Sequence, residues 1–252
     1  MHTYIDTDRR RVRNVELTKA DRHLTEPAPA GLVHAMRLRT SAQHSRAERS
    51  GIVASLLRGQ ATSFGYAMLL RNLLPVYRQM EVSLGRLPAD DPAAVLARSE
   101  ILRSSALNSD LRQLGGPDWA RSMPVLAATR RYVDLVARAD GQRLVAHAYV
   151  RYLGDLSGGQ ILRRLLGRSL GLDDSCVAFY SFPEIGDLDA FKSEYRAAID
   201  RIGQGMRDVS ALLDEAAAVF EANIGLSDAV ARYVARRPDI SLSAMRDPSR
   251  GR

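Results

Sequence analysis

Leu144-Val145-Ala146-His147-Ala148-Tyr149-Val150-Arg151-Tyr152-Leu153-Gly154-Asp155-Leu156-Ser157-Gly158-Gly159-Gln160-Ile161-Leu162-Arg163-Arg164 is the stretch on which the reading of this chain turns. Leu144, Tyr149, Tyr152, Leu156, Leu162, Leu165 and Leu166 recur at helical spacings, which predicts one helix over 141–170. Yet Gly154, Gly158 and Gly159 stand in its middle. Each glycine inside a helix costs about 0.8–1 kcal/mol relative to alanine, so three give up roughly 2–3 kcal/mol that something must offset. Glycine in such a place serves a close backbone approach or a bend. Gly154 and Gly158 are four residues apart and share a face, making a side-chain-free window suited to a flat ligand.

The rest of the chain extends the helical pattern. Helices are predicted near 32–49, 52–59, 62–84 with a bend at Pro75, 92–113, 122–138, 141–170, 187–204 and 208–236. Breakers separate them: Gly85 to Pro88, Gly115-Gly116-Pro117, Asp140-Gly141 and Ser181-Phe182-Pro183. No alternating run of β-branched residues is long enough to argue for a sheet. The expected fold is therefore all-α, a single domain over 31–236. A polar arm over 1–30 ending in Glu26-Pro27-Ala28-Pro29-Ala30 precedes it, and a disordered tail is expected over 237–252.

Composition narrows the function classes. Apolar residues make up 46% and charged residues 26% of 252 residues, ordinary for a globular protein with one core. No apolar run approaches the length of a bilayer span, and the start of the chain lacks the apolar core of a secretory signal. Both point away from a membrane, and a single cysteine, Cys176, fits a reducing cytoplasm. The net charge of +7 raises nucleic acid as a partner, but the two ends carry most of it: +1 over residues 1–30 and +3 over 236–252. The +3 left for the middle argues against nucleic-acid binding.

Several side chains could carry chemistry. His44 and Glu48 lie one helical turn apart, so Glu48 can hold one ring nitrogen and leave the other for a metal. A surface His–Glu pair is the plainer reading. His147 competes as a ligand, because seven residues separate it from Gly154 and put both near one face. Asp155 stands between the glycines with Arg151 one turn before it, either a helix-surface ion pair or a carboxylate able to hold water beside a ligand. Lys192 and Arg196 present two cations on one face, able to grip two carboxylates or to be simply solvated.

Together these fragments resemble the haem oxygenases over most of residues 31–225. Leu144 to Arg164 matches the family's distal-helix pattern almost letter for letter. Gln43-His44 through Ala47-Glu48, then Leu57-Arg58-Gly59-Gln60 and Pro75-Val76-Tyr77, is similar to its proximal region. Phe182-Pro183, Phe191-Lys192-Ser193-Glu194-Tyr195-Arg196 and Asn223 come next in the family's order.

The resemblance implies a helical fold with haem sandwiched between proximal and distal helices, and a role for each residue. His44 falls at the axial iron ligand and Glu48 at its partner, while His147 matches a histidine that does not bind iron. Gly154 and Gly158 fall where backbone covers the distal face, with Gly159 adding flexibility. Asp155 matches the carboxylate that delivers a proton through ordered water; Arg151 and Tyr149 match its hydrogen-bond network. Lys192, Arg196 and Arg37 match the residues that hold the propionates, a grip that favours cleavage at the α-meso carbon.

Haem would then be both substrate and cofactor, yielding biliverdin, carbon monoxide and ferrous iron. No flavin or nicotinamide fingerprint is present, so electrons are expected from an external ferredoxin or reductase. The competing readings are a haem carrier, which has no need of Asp155, and an all-helical interaction module.

Overall fold

The computed structural model describes residues 31–240 and Leu242. The predicted arm over 1–30 and most of the predicted tail lie outside the described residues. Ten α-helices run in order among the described residues: α1 (Leu32–Glu48), α2 (Gly51–Leu57), α3 (Ser63–Gly85), α4 (Ser104–Gly115), α5 (Trp119–Ser122), α6 (Ala127–Ala137), α7 (Gly141–Ala148), α8 (Gly154–Leu170), α9 (Leu188–Gln204) and α10 (Ser210–Ala235). There is no strand among them, so the all-α expectation holds.

The core forms around α3, which is apolar on nearly every side and buried accordingly. Tyr66, Met68, Leu70, Leu74, Tyr77 and Met80 are all fully buried on it. The helix continues through Pro75 without ending there. One turn earlier the buried Asn72 ties α3 to the start of α6. Its carbonyl accepts the Leu126 N–H at 2.8 Å and the Thr129 hydroxyl at 2.6 Å, and its amide donates to the Met68 carbonyl at 2.9 Å. The long α10 packs along α1, α2, α3, α6 and α7, so it joins the cleft-forming helices to the core.

Three predicted helices break where tertiary structure intervenes; the one over 122–138 runs only from Ala127, as α6. The expected helix over 92–113 is a 3₁₀ turn at Pro92–Leu96, another at Ser99–Ile101, and then α4 from Ser104. Asp91 caps the first turn, accepting the Ala93 N–H at 2.8 Å, with Pro92 ideally placed for a helix start. The cap of α4 comes from Glu81 on α3, whose carboxylate accepts the N–H groups of Arg103 and Ser104 at 2.6 and 2.9 Å.

The expected helix over 141–170 is interrupted by a π turn at Tyr149–Leu153, immediately before Gly154. A π turn bonds five residues back rather than four, and so it rotates the face of α8 relative to that of α7. His147 therefore does not share the face of Gly154. It is fully buried against α10, with Nε2 3.0 Å from Glu215.

The first helix is held more lightly. It buries Leu32, Met36 and Thr40, a stripe one residue wide. Its N-terminus carries no capping side chain of its own; Asp200 on α9 accepts the Val33 N–H at 2.9 Å instead. Exposed ion pairs Arg39–Asp214 and Arg46–Glu221 tie it to α10, each worth at most about 1 kcal/mol.

Replacing Asn72 by alanine leaves the Leu126 N–H and the Thr129 hydroxyl without their acceptor. We expect a loss of about 2–4 kcal/mol in urea unfolding; a loss under roughly 1 kcal/mol would mean the α3–α6 tie is not structural.

Candidate active site

A cleft opens between α1 on one side and the π turn with α8 on the other, with α10 behind it. Its inner part is a cavity of about 190 Å³ that opens to solvent. His44 and Phe220 face Gly154 and Gly158 across it, and Asp155 and Arg151 lie at its inner end. The outer part, sharing His44, Gly154 and Gly158, is rimmed by Arg37, Tyr149, Arg196 and Asp200.

His44 is 62% exposed, its ring edge-on to Phe220 with centroids 5.8 Å apart. Nδ1 stands 3.7 Å from the Glu48 carboxylate, an ion-pair separation rather than the expected hydrogen bond. Opposite it the α8 backbone is bare: a Cβ placed on Gly154 or Gly158 would meet nothing within 4 Å. Gly159 differs from its neighbours. It is buried, and a Cβ there would sit 2.8 Å from the Tyr180 ring, so its role is close helix packing.

Asp155 is only 6% exposed and anchors a buried polar network. The Tyr77 hydroxyl donates to one carboxylate oxygen. Arg151 donates to the other at 3.3 Å and to the Tyr77 oxygen at 2.9 and 2.6 Å. Its remaining nitrogen reaches the Asn223 carbonyl at 2.9 Å. Burial pushes the Asp155 carboxyl above its ordinary pKa, while Arg151, the Tyr77 hydrogen bond and Arg103 pull it back. Burial likewise raises Tyr77 well above a free phenol, which keeps it a donor.

The predicted residues thus separate into two places. Gly154, Gly158, Asp155, Arg151, His44 and Glu48 meet at the inner cleft. Arg37, Arg196 and Tyr149 meet at the rim, where Tyr149 lies beside Thr40 and the two arginines. The tyrosine of the Asp155 network is Tyr77, not Tyr149, because the π turn directs Tyr149 outward. Lys192 lines neither part; its ammonium pairs with Asp189 at 2.6 Å.

Comparison with known proteins accords with this arrangement. A sequence model described as Heme oxygenase matches residues 30–229. The chain belongs to the haem oxygenase family, and it is an enzyme. Heme oxygenase 1 of Synechocystis is 35% identical over 196 residues, covering 77% of this chain and 82% of that protein. Human heme oxygenase 1 is 33% identical over 213 residues, 82% of this chain and 74% of that one. Among solved structures, the haem complex of Synechocystis heme oxygenase-1 superposes with a TM-score of 0.74 at 33% identity, covering 82% and 95% of the two chains. The heme oxygenase of Leptospira interrogans gives 0.74 at 34% identity, covering 79% and 99%.

Sequence spacing could not have found every haem oxygenase cleft residue. Tyr77 lies 78 residues from Asp155 and Asn223 lies 72 from Arg151, so no local periodicity links them. Phe220 and Tyr180 also line the cleft, and nothing in their sequence neighbourhood marks them for it.

The glycines are separable by stability. Gly154→Ala and Gly158→Ala should raise it by up to about 1 kcal/mol each, while Gly159→Ala should lower it by roughly 1–3 kcal/mol through the Tyr180 clash. Thermal melts of the three variants check this; a stable Gly159→Ala would remove the packing explanation.

Proposed function

We propose that the cleft seats haem between α1 and α8, with His44 as the axial ligand to iron and Asp155 as the distal carboxylate. The observation that carries this reading is that one cleft combines an accessible imidazole, a facing stretch of bare backbone and a buried carboxylate. The residues present fit the group: an imidazole suits haem iron, and a flat ring needs a wall without side chains. The chain performs the haem oxygenase reaction, oxidative cleavage of haem to biliverdin, carbon monoxide and ferrous iron with dioxygen and external electrons.

Haem, when bound, supplies both the iron that activates dioxygen and the ring that is cleaved. The chain's own contribution is placement and proton supply. Gly154 and Gly158 leave room over the distal face where a side chain would block it. Asp155, held by Tyr77 and Arg151, keeps its carboxylate at the inner end of the cleft, where it can bind water and pass on a proton. Glu48 stands 3.7 Å from Nδ1, where a small turn of either side chain would make the hydrogen bond that leaves Nε2 to coordinate.

At the rim, Arg37 and Arg196 are suited to the two propionates, with the Tyr149 hydroxyl beside them. Lys192 joins that grip by turning from its exposed partner Asp189. This hold fixes the rotation of the ring and favours the α-meso carbon. Electrons come from an external ferredoxin or reductase, in keeping with the absence of a nucleotide fingerprint in the sequence. The single cysteine suits a cytoplasmic setting, and no helix among the described residues is long and apolar enough to cross a membrane.

Titration with haemin should produce a Soret band, and ascorbate or a reductase system should then bleach it with formation of biliverdin. A Soret band stable to reductant and air would favour a haem carrier. His44→Ala should bind haem more weakly and lose turnover; full activity in that variant would refute the ligand assignment. Asp155→Asn should keep haem binding and lose biliverdin formation by roughly 100-fold or more. Chromatography of the biliverdin isomers tests the regiochemistry, and a mixture dominated by another isomer would overturn it.

A further inference from the structure

A second buried carboxylate, outside the cleft lining, has no part in the chemistry above. Asp110 on α4 is fully buried and accepts two backbone hydrogen bonds, from the Ala178 N–H to one oxygen and the Phe179 N–H to the other, both at 2.8 Å. These N–H groups begin the 3₁₀ turn at Ala178–Tyr180. The other end of the turn is held by its carbonyls. Arg103, 5% exposed, donates to the Phe179 and Ser181 carbonyls at 3.3 and 2.6 Å, and Gln160 on α8 donates to the Tyr180 carbonyl at 2.9 Å. A three-residue turn is thus clamped by an anion at its N–H end and a cation at its C=O end.

What the clamp holds is the back of the active site. The buried Phe179 ring lies edge-on to Tyr77, 5.4 Å between centroids, and Tyr77 is the hydroxyl donor to Asp155. The neighbouring Tyr180 ring fills the space left by Gly159 and reaches the cleft. We propose that Asp110 is a positioning residue for the haem oxygenase reaction: by holding the Ala178 and Phe179 N–H groups it fixes Phe179 against Tyr77, and so fixes the Tyr77–Asp155 hydrogen bond. This inference rests on the role of Asp155 proposed above.

Burial pushes the Asp110 carboxyl up to about 6, against the two N–H groups and Arg103, which pull it down. The groups facing it are Arg103 from the start of α4, Tyr66 from α3 and Tyr180 from the turn; the Cys176 thiol of the preceding turn acts on Tyr66. The sign is informative. A carboxyl whose folded pKa is raised contributes stability that is present at low pH and lost as the pH rises through about 6. Acidification therefore does not unfold the protein through Asp110. It converts one accepting oxygen into a hydroxyl and loosens the turn locally.

The test uses the whole chain. In the haem-free protein, NMR titration between pH 5 and 8 should move the Ala178 and Phe179 amide signals and the Tyr77 ring signals together, with a midpoint near 6. Asp110→Asn, which keeps one acceptor and loses the titration, should abolish that common transition. In turnover it should lower kcat roughly tenfold while leaving KM for haem nearly unchanged. A Tyr77 signal indifferent to the amides, a transition that survives in Asp110→Asn, or wild-type kcat in that variant would each overturn the proposal. Should Asp110→Asn fail to fold, the wild-type titration still decides it by whether Tyr77 moves with the two amides. If the wild-type protein makes no biliverdin, the enzymatic reading fails, and the NMR transition still judges the clamp on its own.

Discussion

The constraint on which the rest of this molecule depends is the burial of one carboxylate, Asp155, beside a cleft that must stay open. An ionised carboxylate taken from water is costly unless charge and hydrogen bonds replace the solvent. Tyr77 and Arg151 replace it here, and Asn223 occupies the guanidinium nitrogen that Asp155 and Tyr77 leave over. Three helices and the π turn must converge to supply those groups: α3 gives Tyr77, the π turn gives Arg151, α8 gives Asp155 and α10 gives Asn223. The tight packing of α3 and α10 in the core serves this convergence as much as it serves stability.

The two walls of the cleft are built differently. The α8 wall is held by a buried network and by the close approach of Tyr180 to Gly159. Helix α1 rests on a narrow stripe of buried residues, a cap borrowed from Asp200 and exposed ion pairs. A tightly held α8 wall and a lighter α1 wall would suit the proposed seat of a ring that must enter and leave.

Much of the fold was legible because helical periodicity is a local property. The spacing of Leu144, Tyr152 and Leu156 predicts a helix, and the cost of three glycines within it predicts a bare surface there. Gly154 and Gly158 meet that expectation in the open cleft. Gly159 does not: the same residue type, one position on, faces Tyr180 across twenty-one residues of chain, and only packing distinguishes its purpose. Likewise His44 and Glu48 share a turn by spacing, but the 3.7 Å between them depends on side-chain placement.

By itself the sequence determined the helical class, the glycine window and the motif that marks the haem oxygenase family, since these reside in neighbouring residues and their period. The tertiary structure alone decided the phase of the π turn. That phase turns His147 into the core toward Glu215, sends Tyr149 to the rim and leaves Tyr77 as the partner of Asp155. It also decided which carboxylates cap which helices, as Glu81 does for α4 and Asp200 for α1. The physical reason is common to both. A buried hydrogen-bonding group must find a partner wherever the folded chain offers one, and that partner is set by distance in space rather than by distance in sequence.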